Sequence, residues 1–387
     1  MEYKLGEMVA CNPTVKLEKG EKYNLVDIDS IQVGTRYVKG KELQPFEGKS
    51  GCRFQNSDTV MARITPCLEN GKIAQIQCES EKGFGSTELL VFRGIKGKTD
   101  SDYVFYLMST DYIRKLSANS MSGASGRQRA DLSFIKNIKW DFPSLSVQQR
   151  IASILNNYDK LIQNYQKQIE DLQNLASELY KEWFVRFRFP GHEKASFENG
   201  IPRGWQYITL KELANVEMGQ SPESCFYNRD KVGLPFHQGV GNYGALYLKD
   251  EVYSSEGSRI AKPGSIIFSV RAPVGKINIT LNKIILGRGV ASINSKEGKN
   301  GFLLWSLKSK FSKEDLIGNG SIFASVTKVE LLKQKILIPS RDILNEYDEF
   351  ASDIEKRSRT LYLQVLNLSK QRDLLLPRLM SGKLEVK

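Results

Sequence analysis

The chain spells one long helix twice. Residues 143–180 open with Pro143-Ser-Leu-Ser-Val-Gln-Gln-Arg-Ile151 and continue as an uninterrupted heptad pattern. Residues 339–376 open with Pro339-Ser-Arg-Asp-Ile-Leu-Asn-Glu-Tyr347 and carry a second one. The second copy starts 196 residues after the first, Pro339 against Pro143, with no gap along the helix. Ile151, Ile154, Tyr158, Leu161, Tyr165, Leu172, Leu175 and Leu179 alternate in steps of three and four, and Tyr347, Phe350, Ile354, Leu361, Leu368 and Leu375 fall on the matching positions. From this spacing the seam of a helix pair is read as Ile154, Leu161, Gln168 and Leu172 on the first helix, and Phe350, Leu361, Gln364 and Leu368 on the second. Gln168 and Gln364 both stand where an apolar residue is expected. Such a polar pair suits a register pin in an antiparallel coiled coil, and an internal polar contact without function is an equal reading. About forty helical residues span ~60 Å, and an apolar seam of that length needs a partner helix. A period this long is not a solenoid repeat. It means two similar halves, each a globular part followed by a long helix, with near two-fold internal symmetry.

The rest of the sequence places domains around the helices. Residues 1–143 predict a mixed α/β domain, with strand-like runs at Tyr23–Ile28, Thr59–Ile64, Ile73–Gln77 and Glu88–Phe92 separated by Gly-rich turns. A helical stretch near Asp102–Leu116 follows, then a Gly/Ser loop, then a strand-like Ile135–Phe142. The first helix occupies 144–187, with Ser146 and Gln149 spaced as a capping box. Residues 188–200 read as a polar linker, 201–339 as a second domain, 340–377 as the second helix ended by Pro377, and 378–387 as a tail. The second domain echoes the first loosely. Val270–Lys276 resembles Ala62–Lys72, Phe302–Phe311 resembles Tyr103–Tyr112, and Gly320–Ser325 resembles Ser122–Arg129. The fold class is therefore α+β: two similar mixed α/β domains separated by two long helices in an antiparallel coiled coil. Duplicated scaffolds with diverged loops suit the reading of two different targets at a fixed separation.

Composition narrows the partner. The formal net charge is +12, and 40% apolar with 10% aromatic content supports ordinary packed cores. A basic balance of this size favours nucleic acid first and an anionic membrane second. No segment approaches the ~18 apolar residues of a membrane span, and the N-terminus lacks the apolar stretch of a signal peptide. Cys11, Cys52, Cys67, Cys78 and Cys225 are odd in number, lack CxxC spacing and do not follow the repeat, so they read as reduced thiols of a cytoplasmic protein. His192 and His237 are too far apart in sequence to suggest a zinc site.

Catalytic motifs do not turn up. There is no phosphate-binding GxxxxGK[ST], no HExxH and no GxSxG. Gly239-Val-Gly-Asn-Tyr-Gly244 satisfies GxGxxG, but a dinucleotide fingerprint needs a helix opening within it, and the strand-like Ala245–Leu248 follows instead. A loop that approaches a ligand fits better, with His237 and Tyr243 placed to stack and Asn242 to hydrogen-bond a base edge. Recognition chemistry concentrates at Met121-Ser-Gly-Ala-Ser-Gly-Arg-Gln-Arg129. Small residues let backbone amides approach phosphates, Arg127 and Arg129 suit guanine, and Gln128 suits adenine. Arg63 with Lys72, and Arg271 with Lys276, sit on matching strand–turn–strand units in the two domains. A solvated loop and a hairpin kept for folding remain the plain readings of these segments. At the end of the first helix, Tyr180, Trp183 and Phe184 form an apolar cluster that suits docking of another protein or packing on the chain's own domains.

Over its full length the chain resembles the specificity subunits of type I restriction–modification systems. The order is target-recognition domain, long helix, target-recognition domain, long helix. The resemblance is carried by Ala62-Arg-Ile-Thr-Pro-Cys-Leu-Glu-Asn-Gly-Lys72, Gly85-Ser-Thr-Glu-Leu-Leu-Val-Phe-Arg93, Gly123-Ala-Ser-Gly-Arg-Gln-Arg129, Pro143-Ser-Leu-Ser-Val-Gln-Gln-Arg150 and Leu179-Tyr-Lys-Glu-Trp-Phe184. The second copy departs from it, because Pro339-Ser-Arg-Asp-Ile-Leu-Asn345 lacks the Gln-Gln and the second Gly/Ser loop lacks Arg-Gln-Arg. The resemblance implies a non-catalytic reader of double-stranded DNA used in host defence. Each recognition domain would read one half of a bipartite asymmetric site, and the helices would set the unread spacer. Two methyltransferase subunits would dock on it, bring S-adenosylmethionine and methylate an adenine in each half. Two restriction subunits would bring ATP and Mg, so this chain itself is expected to hold no cofactor and no metal. Two alternatives stay open: a coiled-coil adaptor that binds only proteins, and the DNA-binding part of a fused restriction–methylation polypeptide.

Overall fold

The computed structural model describes residues 2–48, 51–123, 128–311 and 325–386. The chain forms two compact units, Met1–Gln166 with Tyr362–Lys387, and Lys167–Leu361. Each long helix therefore gives one half of its length to each unit.

In the first unit the central strands Thr59–Ala62 and Ile73–Ile76 are buried along their whole length, as strands covered on both faces must be. Their side chains alternate between two cores. Met61, Ile73, Leu90 and Phe92 face a core shared with helix Ser101–Ser109, helix Leu132–Asn137 and the ends of the long helices. Val60, Ala62, Ala74, Ile76, Leu89 and Val91 face a second core with Val26 and Phe54. The sheet containing these strands runs in the order Val9–Cys11, Leu89–Gly94, Thr59–Ala62, Ile73–Ile76, Tyr37–Val38, the last pair parallel. A second sheet runs Leu43–Pro45, Lys22–Val26, Lys82–Gly85, Cys52–Gln55, with a parallel central pair.

The second unit repeats this strand order, with one strand reduced to a bridge and one strand added. Ala214–Met218, Val290–Ser295, Ile266–Ser269 and Ile277–Ile279 form one sheet, and Tyr247 pairs in parallel with Ile279 as Tyr37 does with Gln75. Tyr227–Asn228, Tyr253–Ser254, Leu234–His237, Ile284–Leu286 and Ile260–Ala261 form the other, again with a parallel pair inside it. The ribbon of Glu2–Lys4 with Lys139–Asp141 is matched by Gln206–Thr209 with Lys335–Ile338. A shared fold under weak sequence similarity is thus observed.

Several predicted elements are corrected. The stretch near 102–116 is two helices, Ser101–Ser109 and Asp111–Asn119, broken where the Thr110 hydroxyl accepts the Ile113 N–H. Residues 135–142 are the end of helix Leu132–Asn137 followed by strand Lys139–Asp141. The linker forms a short hairpin, Phe197–Glu198 with Ile201–Pro202. The first long helix, Leu145–Phe184, begins one residue before Ser146, and the Ser144 carbonyl accepts the N–H groups of Val147 and Gln148 at 3.0 and 2.9 Å. The second, Arg341–Met380, runs three residues past Pro377. The carbonyl left without a donor there belongs to exposed Asp373, within reach of water.

The seam lies one residue from where the sequence placed it. On the first helix Gln148, Leu155, Ile162, Ile169, Ala176 and Trp183 are buried at a strict spacing of seven, and Leu344, Ala351, Ser358, Val365 and Leu379 hold the same rhythm on the second. Gln168 and Gln364 are exposed beside Ile169 and Val365. Leu161 is exposed as well, and Ile154, Leu172, Phe350, Leu361 and Leu368 are half-buried. One residue turns a side chain by ~100°, so the larger leucines form a flanking stripe. The true seam uses Ala176, Ala351 and Ser358, small enough for close approach.

Candidate nucleic-acid interface

The recognition hairpin of the first unit grows from strand Thr59–Ala62. The chain continues through Arg63 to Pro66, turns at Gly71 in the left-handed region (φ +77°) and returns through Lys72 into Ile73–Ile76. The segment Gln128–Ala130 lies along its base. Thr65 N–H donates to the Gln128 carbonyl at 3.0 Å, and Ala130 N–H to the Arg63 carbonyl at 2.8 Å. Arg63, Gln128 and Arg129 are thereby brought together. In the second unit Val326 N–H donates to the Val270 carbonyl at 2.8 Å, and Arg271 pairs with Ser325. The two hairpins share one construction, and each contains a cis X–Pro bond, Thr65–Pro66 and Ala272–Pro273. Arg127 and Ala124–Gly126, with 320–324 of the second copy, lie outside the described residues.

The described cations of the first hairpin have partners within their own domain. Arg129 grips the Glu88 carboxylate through Nε and Nη2 at 2.5–3.0 Å, which holds the Glu88 carboxyl below its ordinary value. Lys72 Nζ donates to the Ile28 carbonyl at 2.9 Å and stands 3.7 Å from Asp29. Half-buried Arg63 reaches the Ala130 carbonyl at 3.4 Å, and its Nε is buried without a partner. Gln128 is half-buried. Arg271 and Lys276 of the second hairpin are exposed.

The glycine-rich loop of the second unit does not open a helix. Only Val240–Asn242 makes a short turn before Tyr243 pairs with Leu248, as the sequence indicated. Two of its assigned contacts are corrected. His237 is buried, with Nε2 2.8 Å from Asp250 Oδ1, whose other oxygen accepts from Asn282 at 2.6 Å. Tyr243 packs its ring on the core of Leu248, Ala261, Ile267 and Ile284, and burial pushes its phenol up. Neither ring lies free on the loop: His237 is buried, and Tyr243 is half-buried against the core. Asn242 stays half-exposed on the loop.

Tyr180, Trp183 and Phe184 are corrected in the same way. All three are buried in an aromatic cluster of the second unit. Tyr347 meets Tyr180, Trp183 and Phe184 at ring separations of 5.7, 5.8 and 5.0 Å, and Phe184 meets Phe302 at 5.2 Å and Trp205 at 5.8 Å. This cluster fastens the second recognition domain to its helix ends, so these side chains are core and offer no docking surface.

Sequence reasoning missed the counterpart in the first unit. Arg36, 4% exposed, donates to Gln75 Oε1 and the Tyr106 hydroxyl and pairs with Asp102 at 2.6 Å. Its guanidinium also lies over the rings of Tyr37, Phe105 and Tyr106. Tyr106 donates to Asp159 Oδ2 at 2.5 Å, and Arg372 donates to Asp159 Oδ1 at 2.6 Å. Burial pushes the Tyr106 phenol up, with Asp159 adding to it. Burial alone would lower the Arg36 guanidinium, yet Tyr106 and Asp102 raise it, so the charge is retained. Had the seam been read one residue over, the charged Asp159 and Arg372 would both have stood out on its buried face.

Two α/β domains of one strand order, each tied to the ends of two long helices, define a bipartite recognition scaffold. Among the described residues no group of three His, Cys, Asp or Glu side chains is placed to hold a metal, and no helix is long and apolar enough to cross a membrane. The family model for the type I restriction modification DNA specificity domain matches residues 1–174 and 202–360, and the chain belongs to that family. It is 29% identical over 335 residues to a putative type I restriction enzyme MjaX specificity subunit of Methanocaldococcus jannaschii, covering 85% of this chain and 79% of the relative. It is 21% identical to the type I restriction enzyme HindI specificity subunit of Haemophilus influenzae, over 99% of both chains. Its fold is like that of a type I restriction–modification S subunit from M. genitalium, with a TM-score of 0.55 at 14% identity over 98% and 96% of the two chains.

Proposed function

We propose that this chain is the non-catalytic, DNA-reading specificity subunit of a type I restriction–modification complex. Each recognition domain reads one half of a bipartite site in double-stranded DNA, and the long helices set the unread spacer. The supporting observation is the duplicated strand order with unlike chemistry at the two hairpins. Arg129 is paired with Glu88 and Lys72 with the Ile28 carbonyl in one, whereas Arg271 is exposed on the other. One scaffold with two surfaces suits two different half-sites. The net charge of +12 provides the sequence-independent attraction to phosphate.

In the same proposal two methyltransferase subunits bring S-adenosylmethionine, two restriction subunits bring ATP and Mg, and the complex works in the cytoplasm. Exposed leucines of the long helices give the methyltransferases apolar contacts. Leu161 and Leu175 on the first helix, and Leu363, Leu366 and Leu374 on the second, are all exposed.

The test is a methylome of a host carrying the chain with its methyltransferase, which should show one bipartite motif of fixed spacer. Inserting a four-residue turn after Gln168 and after Gln364 should change the spacer and leave both half-sites intact. Altered half-site bases with an unchanged gap would refute the ruler. A protein-only adaptor would instead show no DNA affinity that falls steeply with salt.

A further inference from the structure

The polar node of the first unit joins three pieces of chain. Arg36 and Tyr106 come from the recognition domain, Asp159 from the first long helix and Arg372 from the second. The side chains of Arg36 and Asp159 are 1% and 3% exposed, and that of Arg372 is 15% exposed. We propose that the Asp159–Arg372 pair is the register pin of the helix pair and that, with Arg36 and Tyr106, it positions the first recognition domain and so enforces the spacer length. This rests on the DNA-reading function proposed above.

The reason is directional. Apolar seams attract without fixing a register. In a strict heptad, a slip by one repeat puts apolar residues against apolar residues again. It moves one helix roughly 10.5 Å along the other, about three steps of DNA at 3.4 Å each. The same slip would set Asp159 against Val365 or Leu379, seven residues either side of Arg372. A buried carboxylate would then lose its hydrogen-bonded cation and keep only Arg36, 4.0 Å away, a penalty that apolar contacts do not repay. Tyr106 ties the pinned carboxylate to the recognition domain through its 2.5 Å bond, and Tyr37 adds a bond to Asn156 at 3.2 Å.

The second unit has no such pin among its described residues. Hydrogen bonding matches Arg36 to Leu246, since Gln75 N–H donates to the Arg36 carbonyl and Ile279 N–H to the Leu246 carbonyl. Gln75 is thus replaced by Ile279, Arg36 by Leu246, and Arg372 by buried Ala176. Of the acidic pair, Asp102 becomes Gly301, where an added Cβ would lie 2.9 Å from the Asp348 carbonyl, and Asp159 becomes Glu355, which accepts from Tyr247. The enforcing contact therefore belongs to one helix end.

The test uses the chain assembled with its methyltransferase subunits. Substrates carry both half-sites with the natural spacer or one changed by up to three base pairs either way. Asp159→Leu with Arg372→Met removes the whole pair and should cut the preference for the natural spacer at least ~10-fold, with the half-site bases unchanged. Asp159→Asn, which keeps the side-chain volume, should give a smaller loss in the same direction and serves if the double variant does not fold. Leu379→Ala loosens the same core without touching the pin and should leave the preference intact. Undiminished spacer preference in a folded pin variant would overturn the proposal, as would equal relaxation by Leu379→Ala. If the unaltered complex showed no bipartite motif, the DNA-reading function itself would fail.

Discussion

Both recognition domains meet the long helices through apolar cores, but the first adds a buried ionic set that the second largely replaces with aromatic rings, keeping only Lys299 near Asp348 at 3.8 Å. Arg36, Asp102, Asp159 and Arg372 fill positions that in the second unit hold Leu246, Gly301, Glu355 and Ala176. The same fold thus completes the same junction with different chemistry. A buried ionic set costs desolvation that its own attraction only repays when every partner is present, so it adds little net stability and discriminates sharply between arrangements. The cluster of Tyr180, Trp183, Phe184, Phe302 and Tyr347 gains stability from area and ring contacts and tolerates small displacements better. The first junction is built for one pose, the second for strength.

The largest expected effect breaks this contrast at its centre. Arg36→Met takes the guanidinium from half-exposed Asp102 and leaves Asp159 with Arg372 alone, so it should cost ~3 kcal/mol, the lower end for loss of one member of a buried ion pair. Hydrogen exchange resolved by segment should show the loss in Met1–Gln166 and Tyr362–Lys387, with Lys167–Leu361 retaining its protection. A cost below ~1 kcal/mol would mean that water already reaches these carboxylates and that the node is not closed.

A smaller effect sharpens the other side. Tyr347 hydroxyl donates to the Ala176 carbonyl at 2.8 Å, the one polar contact described in the ring cluster that joins the two helices there. Tyr347→Phe keeps every ring contact and should cost only ~0.5–1.5 kcal/mol, the net worth of a hydrogen bond. Denaturant unfolding measures it. A loss as large as that of Arg36→Met would show that the second junction also depends on a polar contact.

The duplication, the domain order and the central strands of the first domain were legible because period-two and period-seven patterns survive divergence. Thr59–Ala62 and Ile73–Ile76 were found almost to the residue. The seam was misplaced because two apolar stripes lie side by side on each helix, and the exposed one carries the larger leucines. Gln148 shows what a motif hides: its amide satisfies the Lys98 and Pro143 carbonyls and the Asp100 N–H, which explains a glutamine at a buried helix start. Site residues were the least legible. Arg129, Lys72 and His237 looked free in sequence, but their partners Glu88, Ile28 and Asp250 are brought in by strand pairing that no local pattern reveals.

The smallest effect separates the two hairpins by their electrostatics. Glu88 is held below its ordinary value of 4.5, chiefly by its hydrogen bond to Arg129. A carboxyl lowered in the folded state contributes stability above its unfolded pKa and loses it as pH falls through the folded value. Unfolding measured from pH 6 down to pH 3 should therefore show a component that Glu88→Gln abolishes. At neutral pH the same variant releases Arg129, already exposed, from its carboxylate partner. One more phosphate contact should steepen the salt dependence of DNA binding by at most about one. An unchanged slope would place Arg129 away from the DNA even when released and leave its grip on Glu88 as a structural contact. A steeper slope would make Glu88 the residue that keeps the first hairpin less basic than the second.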